Sequence, residues 1–152
     1  MTVTLVFVSF RVTPAEVIVT FLKRALIMPQ QYRIIPVYSS RGEVDAILVF
    51  PYLFNRSGEW IGWVTAQREV YSVMGYYVGT LTNDPRIVRN RAGDELKPRR
   101  KPPPHPGRVI IPATLPLAPL MKELTHSLVD VLSEEPERLH TVDSGELRED
   151  LD

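Results

Sequence analysis

The sequence predicts a mainly β protein, in which tandem antiparallel β-hairpins form a small flower- or barrel-like body. A strand and a helix precede this body, and a short C-terminal helix follows it. Two observations carry the prediction. A segment with a glycine at a fixed place repeats four times between residues 37 and 98, and the residues beside that glycine alternate as in strands. A proline-rich stretch then separates the repeats from a tail.

Composition limits the possible chemistry. The 152 residues suit one domain, or one small domain with tails, and the chain contains no Cys. A disulfide framework, a thiolate zinc site and a cysteine nucleophile are therefore excluded. Eighteen basic and eighteen acidic residues cancel, but eight of the basic ones lie between Arg86 and Arg108. Residues 112–152 carry three basic and ten acidic residues, so a basic segment precedes an acidic tail.

Residues 1–31 are predicted to form a strand and an amphipathic helix. Residues 2–10 are rich in β-branched and aromatic types, and the stretch "TPAE" from Thr13 to Glu16 has the capping pattern of a helix start. Met28 offers an alternative start, which would make residues 1–27 an extension. No run of roughly 20 apolar residues exists, so no membrane span is expected. With no secretory signal pattern either, we expect a cytoplasmic protein.

Residues 32–97 are predicted to be the β-hairpin repeat domain. Its four copies are "VYSSRGEVDAIL" (37–48), "LFNRSGEWIGWV" (53–64), "VYSVMGYYVGTL" (70–81) and "IVRNRAGDELKP" (87–98). The copies align Gly42, Gly58, Gly75 and Gly93, which we expect in tight turns because glycine adopts positive φ at no steric cost. A single hairpin is marginal in water, but several in tandem can bury their apolar faces against one another.

The strands after the turns contain a second glycine and most of the aromatic residues. Gly62 and Gly79 are interpreted as β-bulges or as close approaches of a neighbouring strand. Simple alternation places Trp60 and Gly62 on one face and Ile61 and Trp63 on the other. The aromatic concentration comprises Trp60, Trp63, Tyr76 and Tyr77. One face is expected to be core and the other a possible binding surface, and the sequence does not say which is exposed.

The stretch "LFNRSGEWIGWV…REVYSVMGYYVGTLTNDPRIVRNR" resembles the four-fold β-flower type of hairpin repeat. It is also similar to uncharacterised bacterial proteins with a G-x-W-V-G-W-V…G-x-Y-V-G pattern, a Pro-rich stretch and an acidic C-terminus. The resemblance covers roughly residues 37–96 and implies a fold but no catalytic residue. The fourth copy departs from it, because it lacks the aromatic residue and the second glycine.

The tail is divided by its composition. Residues 98–118 are predicted to be a semi-rigid polyproline linker. Residues 119–135 follow a helical spacing and are predicted to form an amphipathic helix. Its apolar face offers a partner surface of Leu120, Leu124, Leu128 and Leu132. That face could pack on the chain's own β-body, on a second copy or on another protein. Residues 136–152 are acidic and are predicted to be disordered.

No catalytic motif is present. The chain has no P-loop, no H-E-x-x-H and no G-x-G-x-x-G at a strand-to-helix turn, and the repeat region contains no His. The spacing of His105, His126 and His140 predicts no metal site, and no cofactor is expected. The carboxylates of the repeat region, Glu69 and Asp84 among them, are interpreted as surface positions.

Three functions remain open from the sequence. We expect a non-enzymatic protein-interaction or structural module, with an unknown protein partner or self-association. The alternative is a nucleic-acid-binding accessory protein that uses the basic segment 86–108, which the zero net charge makes less favoured. The third is small-molecule binding at the centre of the repeat domain.

Overall fold

The computed structural model describes residues 32–93 and 97–143. These residues form eight antiparallel strands, in one sheet whose order follows the chain, curled as a half-barrel. The strands are β1 (Ile35–Tyr38), β2 (Val44–Val49), β3 (Tyr52–Asn55), β4 (Trp60–Val64), β5 (Glu69–Ser72), β6 (Tyr77–Leu81), β7 (Ile87–Asn90) and β8 (Leu128–Asp130). The mainly β prediction is confirmed. The strand and helix predicted for residues 1–31 lie outside the described residues, as do residues 144–152.

The first three copies of the repeat each form a hairpin around a glycine. Gly42, Gly58 and Gly75 have φ of 82°, 77° and 86°. Each donates its N–H to the carbonyl oxygen three residues earlier, and that earlier residue donates to the carbonyl of the residue after the glycine. This is the hairpin loop that ends in a left-handed residue, and glycine suits it because no Cβ opposes positive φ.

Each of these hairpins also contains a bulge at the same place. In the second copy Leu53 pairs with Gly62 but Phe54 pairs with Trp60, so Ile61 is an extra residue. The prediction that Trp60 and Trp63 face opposite sides is therefore wrong. The extra residue directs both indoles to the outer side, while Ile61 packs into the inner core.

The glycines inside the strands lie where neighbouring backbone comes close. A Cβ on Gly62 would lie 2.4 Å from the carbonyl oxygen of Tyr71, and a Cβ on Gly79 would lie 2.6 Å from that of Val88. The close approach of the next strand therefore requires glycine at both positions. This is a second reason for glycine, besides the bulge in the same hairpin.

The fourth copy is not a local hairpin, so that part of the prediction is wrong. Its first strand is β7, but β7 pairs with β8 from the tail, with Val88 opposite Asp130. Among the described glycines, positive φ occurs at Gly107 and in the three hairpin turns, and not at Gly93. The predicted return strand, "DELKP", contains charges and a proline, whereas β8 supplies the buried Val129. Burial of apolar surface therefore favours the distant strand.

The helix predicted for residues 119–135 is wrong over most of its length. Residues 119–127 are not helical, β8 follows, and the helix α1 covers Val131–Glu134. A single 3-10 turn covers Pro136–Arg138, within the segment that was predicted to be disordered. An isolated helix of this length is marginal in water, so pairing with β7 and burial of Val131 outweigh the helical spacing.

The core has two layers, one on each face of the sheet. Inside the curl, a mainly aliphatic cluster is completed by the tail, which contributes Val131, Leu132 and Leu139. Outside it, a second cluster contains Ile47, Phe54, Trp60 and Val73, with partly buried residues of the proline-rich segment packed against it. The tail therefore covers the outer face as well as filling the inner one.

Candidate functional site

The outer face of the sheet is crossed by an extended segment, residues 97–127, which we call the strap. It reaches the hairpin turns in reverse order, with Arg100 at Gly75, Val109 at Gly58 and Ala118 at Gly42. Ser127 then accepts a hydrogen bond from the Arg91 N–H, just after β7. These strap positions follow at intervals of nine residues. Polyproline II repeats every three residues, so a nine-residue interval suits an extended segment that presents one side to each turn. The predicted linker is thus a docked part of the body.

The strap is held by backbone hydrogen bonds at the turns. The N–H of Arg100 donates to the Gly75 carbonyl at 2.9 Å, and that of Val109 donates to the Gly58 carbonyl at 3.0 Å. Further along, the Tyr38 hydroxyl donates to the carbonyl oxygens of Pro116 and Leu117, at 3.0 and 3.2 Å. Polar backbone of the strap therefore has partners on the sheet even though the strap joins no strand.

The predicted aromatic surface is largely covered. Trp60 is 6% exposed and meets the His105 ring of the strap edge to face, with 5.1 Å between ring centroids. Trp63 is half-buried and stacks on Tyr71 at 4.9 Å. Both indoles belong to the packed outer layer, where Trp60 is buried and one face of Trp63 is covered by Tyr71.

The two predicted tyrosines carry cations of the strap. The guanidinium of Arg99 lies 4.8 Å from the ring centre of Tyr76, and the ammonium of Lys97 lies 4.3 Å from that of Tyr77. Tyr77 is half-buried, whereas Tyr76 remains 51% exposed. These contacts attach the start of the strap to the third hairpin.

Glu69 anchors the same end of the strap. Its carboxylate lies 2.6 Å from the Lys97 ammonium and 3.4 Å from the Arg100 guanidinium, and it accepts a hydrogen bond from the Tyr71 hydroxyl. The hydrogen bond from Lys97 lowers the pKa of Glu69 although burial opposes it. Burial, followed by the bond to Glu69, raises the pKa of Tyr71. Glu69 is thus an ion-pair centre, and its interpretation as a surface position is wrong.

Most of the basic segment is paired within the chain. Six of its eight basic residues form ion pairs: Arg86 with Asp84, Arg89 with Glu135, Arg91 with Glu134, Lys97 and Arg100 with Glu69, and Arg108 with Glu59. The hydrogen bond from Arg89 lowers the pKa of Glu135 to about 2, with Arg138 contributing. Phosphate groups would have to compete with these carboxylates.

A buried polar cluster joins the two edges of the sheet, and the sequence reading missed it. Arg86 is 4% exposed and donates to Asp84 at 2.6 Å and to the Lys122 carbonyl of the strap at 2.8 Å. Asp130 of β8 is 2% exposed and accepts from the Ser40 N–H, just after β1, at 2.5 Å. Asp84 is therefore also not a free surface carboxylate. The cluster connects the β6–β7 link, the strap and both edge strands, which is a structural role.

The four predicted partner leucines are separated by the fold. Leu120 is 103% exposed, Leu124 is half-buried, Leu128 lies in β8, and Leu132 is 8% exposed within the inner core. Leu120, Leu124 and Leu128 nevertheless line one groove of about 440 Å³, between the strap and the β6–β7 link. Leu117 is 94% exposed and lines a different cavity of the strap. The fold therefore brings three of the leucines together and assigns the fourth to the core.

Residues 32–93 and 97–143 contain no group of three or more His, Asp or Glu side chains that could hold a metal ion. In the same ranges no helix is long and apolar enough to cross a membrane. No protein-family model, curated protein or solved structure matches the chain.

Proposed function

We propose that the protein is a non-enzymatic interaction module that binds another protein through apolar side chains of the strap. The observation that supports this is the exposure of Leu117 and Leu120, 94% and 103%, on docked backbone. The Leu117 carbonyl accepts from Tyr38, and the Lys122 carbonyl accepts from Arg86. Fully burying one leucine contributes roughly 1.5–3 kcal/mol, so two of them support useful docking.

The strap is already ordered before a partner arrives. Binding therefore avoids much of the conformational entropy that a flexible peptide loses on docking. The groove of Leu120, Leu124 and Leu128 offers space for an apolar side chain of the partner. A cytoplasmic location is part of the proposal, since a chain without cysteine has no need of an oxidising compartment.

The two other functions have less support. Ion pairs with the chain's own carboxylates occupy six of the eight basic residues of segment 86–108, which disfavours phosphate binding. The described interior of the curled sheet is packed with aliphatic side chains, including Leu132 and Leu139, which disfavours a ligand at its centre.

The test uses a double variant that carries both Leu117→Ser and Leu120→Ser. This double variant is compared with the single variant Ile110→Ser. Ile110 is 95% exposed on the same strap, so it is a matched control. Affinity capture from a lysate, quantified by mass spectrometry, would identify proteins retained by the wild type. Mass in solution, measured by light scattering, would detect self-association.

We expect a protein that the wild type and Ile110→Ser both retain, that the double variant loses, and that stays bound at high salt. Apolar docking does not depend on counterion release, whereas phosphate binding does. Identical retained proteins and identical masses for all three chains would contradict the proposal. Because the leucines are exposed, the double variant should keep the unfolding midpoint of the wild type.

A further inference from the structure

The repeat allows two clefts of the outer face to be compared position by position. The first cleft lies between hairpins β1–β2 and β3–β4, beside strap residues 111–117. The second cleft lies between hairpins β3–β4 and β5–β6, beside His105 of the strap. The equivalent strap residue of the first cleft is Thr114, nine positions later. Equivalent sheet positions are the second and fifth residues after a turn glycine, and the second residue before the next turn glycine.

Aromatic rings fill the second cleft. Its three equivalent positions hold Trp60, Trp63 and Val73, all within the outer apolar cluster. Trp60 and Val73 are 6% and 5% exposed, and the His105 ring lies against Trp60. Two indoles and an imidazole therefore occupy the space between the sheet and the strap.

The first cleft has lost all three rings. The equivalent positions hold Val44, Ile47 and Arg56, and Thr114 stands where His105 stands in the second cleft. A cavity of about 560 Å³ lies there, with Ile111 and Leu115 of the strap among its apolar lining. The Tyr38 hydroxyl donates to the carbonyl oxygen of Pro116, which also lines this space. The volume is within the range of small-molecule pockets.

The third substitution adds a cation to the lining of the cavity. Arg56 lines the cavity, is exposed, and forms no ion pair with any carboxylate among the described residues. Glu43, which also lines it, has Arg41 at 3.8 Å. A guanidinium can bind a carboxylate through two parallel hydrogen bonds and can stack on an aromatic face. The cleft thus combines space beside apolar side chains with a cation that pairs with none of the described carboxylates.

We propose that the first cleft binds a small aromatic anion. The ring lies between Val44 and the strap, at the position that Trp60 takes in the second cleft, and the acid group pairs with Arg56. This goes beyond the interaction proposed for the leucine surface. The two sites share Leu117, so the test leaves Leu117 unchanged and the two proposals can fail separately.

The test uses the full chain, with 2-naphthoate as the probe and neutral 2-naphthamide as its matched control, by titration calorimetry. Val44→Trp restores the residue equivalent to Trp60 and should abolish binding by filling the cavity. Arg56→Gln should weaken 2-naphthoate about tenfold, the equivalent of one charge-assisted hydrogen bond, and leave the amide unchanged. Arg108→Gln, at an arginine that pairs with Glu59, should bind like the wild type.

If Val44→Trp fails to fold, Val44→Phe fills the same cavity with a smaller ring and replaces it in the comparison. Saturable one-to-one binding of 2-naphthoate that is lost in the filled variant and weakened in Arg56→Gln supports the proposal. No saturable binding by the wild type overturns it. Equal binding by the wild type, the filled variant and Arg56→Gln overturns it as well.

Discussion

The backbone N–H of Arg100 donates to the carbonyl oxygen of Gly75 at 2.9 Å, and the Arg100 carbonyl faces the same glycine. A Cβ built on Gly75 would lie 1.9 Å from the Arg100 carbonyl oxygen, which is far inside van der Waals contact. Gly58 stands in the same relation to Val109, at 2.0 Å. These glycines therefore meet two separate requirements, positive φ in the turn and space for the strap.

Alanine substitution separates these two requirements. Gly42 shares the positive φ, but the nearest atom to its Cβ would be the Ala118 Cβ, at 3.8 Å. Gly42→Ala should therefore cost about 1 kcal/mol from the backbone alone. Gly75→Ala should cost at least about 1 kcal/mol more, because the strap must move. Urea unfolding measures both losses, and equal losses would mean that the strap does not lie on this turn in solution.

The Tyr38 hydroxyl provides a second test of the docked strap. Tyr38→Phe leaves the carbonyl oxygens of Pro116 and Leu117 without this donor, which should cost about 1 kcal/mol. Proteolysis within residues 110–120 should become faster, since the strap loses an attachment. Tyr32→Phe is the control, because Tyr32 is 68% exposed. Unchanged proteolysis in Tyr38→Phe would argue against the attachment.

The leucines of the tail should differ sharply in their effect on stability. Leu132 is 8% exposed in the inner core, so Leu132→Ala should lower the free energy of unfolding by about 2–5 kcal/mol. Leu120→Ala should change it by less than about 0.5 kcal/mol, because that side chain is fully exposed. Chemical denaturation of the two variants measures both changes in the free energy of unfolding. Similar losses would mean that Leu120 and Leu132 lie on one face of an amphipathic helix, as the sequence predicted.

Acid should reveal the ion pair of Glu135. Its pKa is lowered from 4.5 to about 2 by the Arg89 guanidinium, which donates to both carboxylate oxygens at 2.6 and 2.5 Å. A lowered folded-state pKa stabilises the protein above pH 4.5, and this contribution is lost as the pH falls towards 2. The stability difference between the wild type and Glu135→Gln should therefore shrink between pH 4.5 and 2.

Glu137→Gln is the control for this experiment, because Glu137 is exposed nearby on the same tail. Its stability difference from the wild type should stay small across the same pH range. A Glu135→Gln difference that did not change with pH would show that the pair with Arg89 does not lower this pKa.

The three complete hairpins were predictable because their signals are local. Glycine at the turn and alternating apolar residues beside it specify strand, turn and strand within a dozen or so residues. The bulge glycines were also readable, since a glycine inside a strand indicates a bulge or a close neighbour. The side of the sheet that Trp63 faces could not be predicted in this way. Ile61 is an extra residue in the strand, so it reverses the alternation of faces that simple counting gives.

The proposed binding cleft had a signal in the sequence that carried meaning only in three dimensions. The alignment of copies already sets Val44 against Trp60. The space that this difference leaves empty depends on the strap, whose nine-residue register over the turns has no marker in its proline-rich sequence. The pairing of Arg86 with Asp84 and the Lys122 carbonyl likewise depends on segments that meet only after folding.

By itself the sequence determined the β class and the three local hairpins. Tertiary structure decided the partner of β7 and the destinations of the tail leucines. Leu120 is fully exposed, Leu128 lies in a strand, and Leu132 is buried, although helical spacing groups them on one face. A helical period describes only what an isolated segment could form. In the folded chain, residues 128–130 pair with the edge of β7, and Val131, Leu132 and Leu139 complete the inner core. Burial against distant strands outweighs the preference of a marginal helix, and such burial is not written in local spacing.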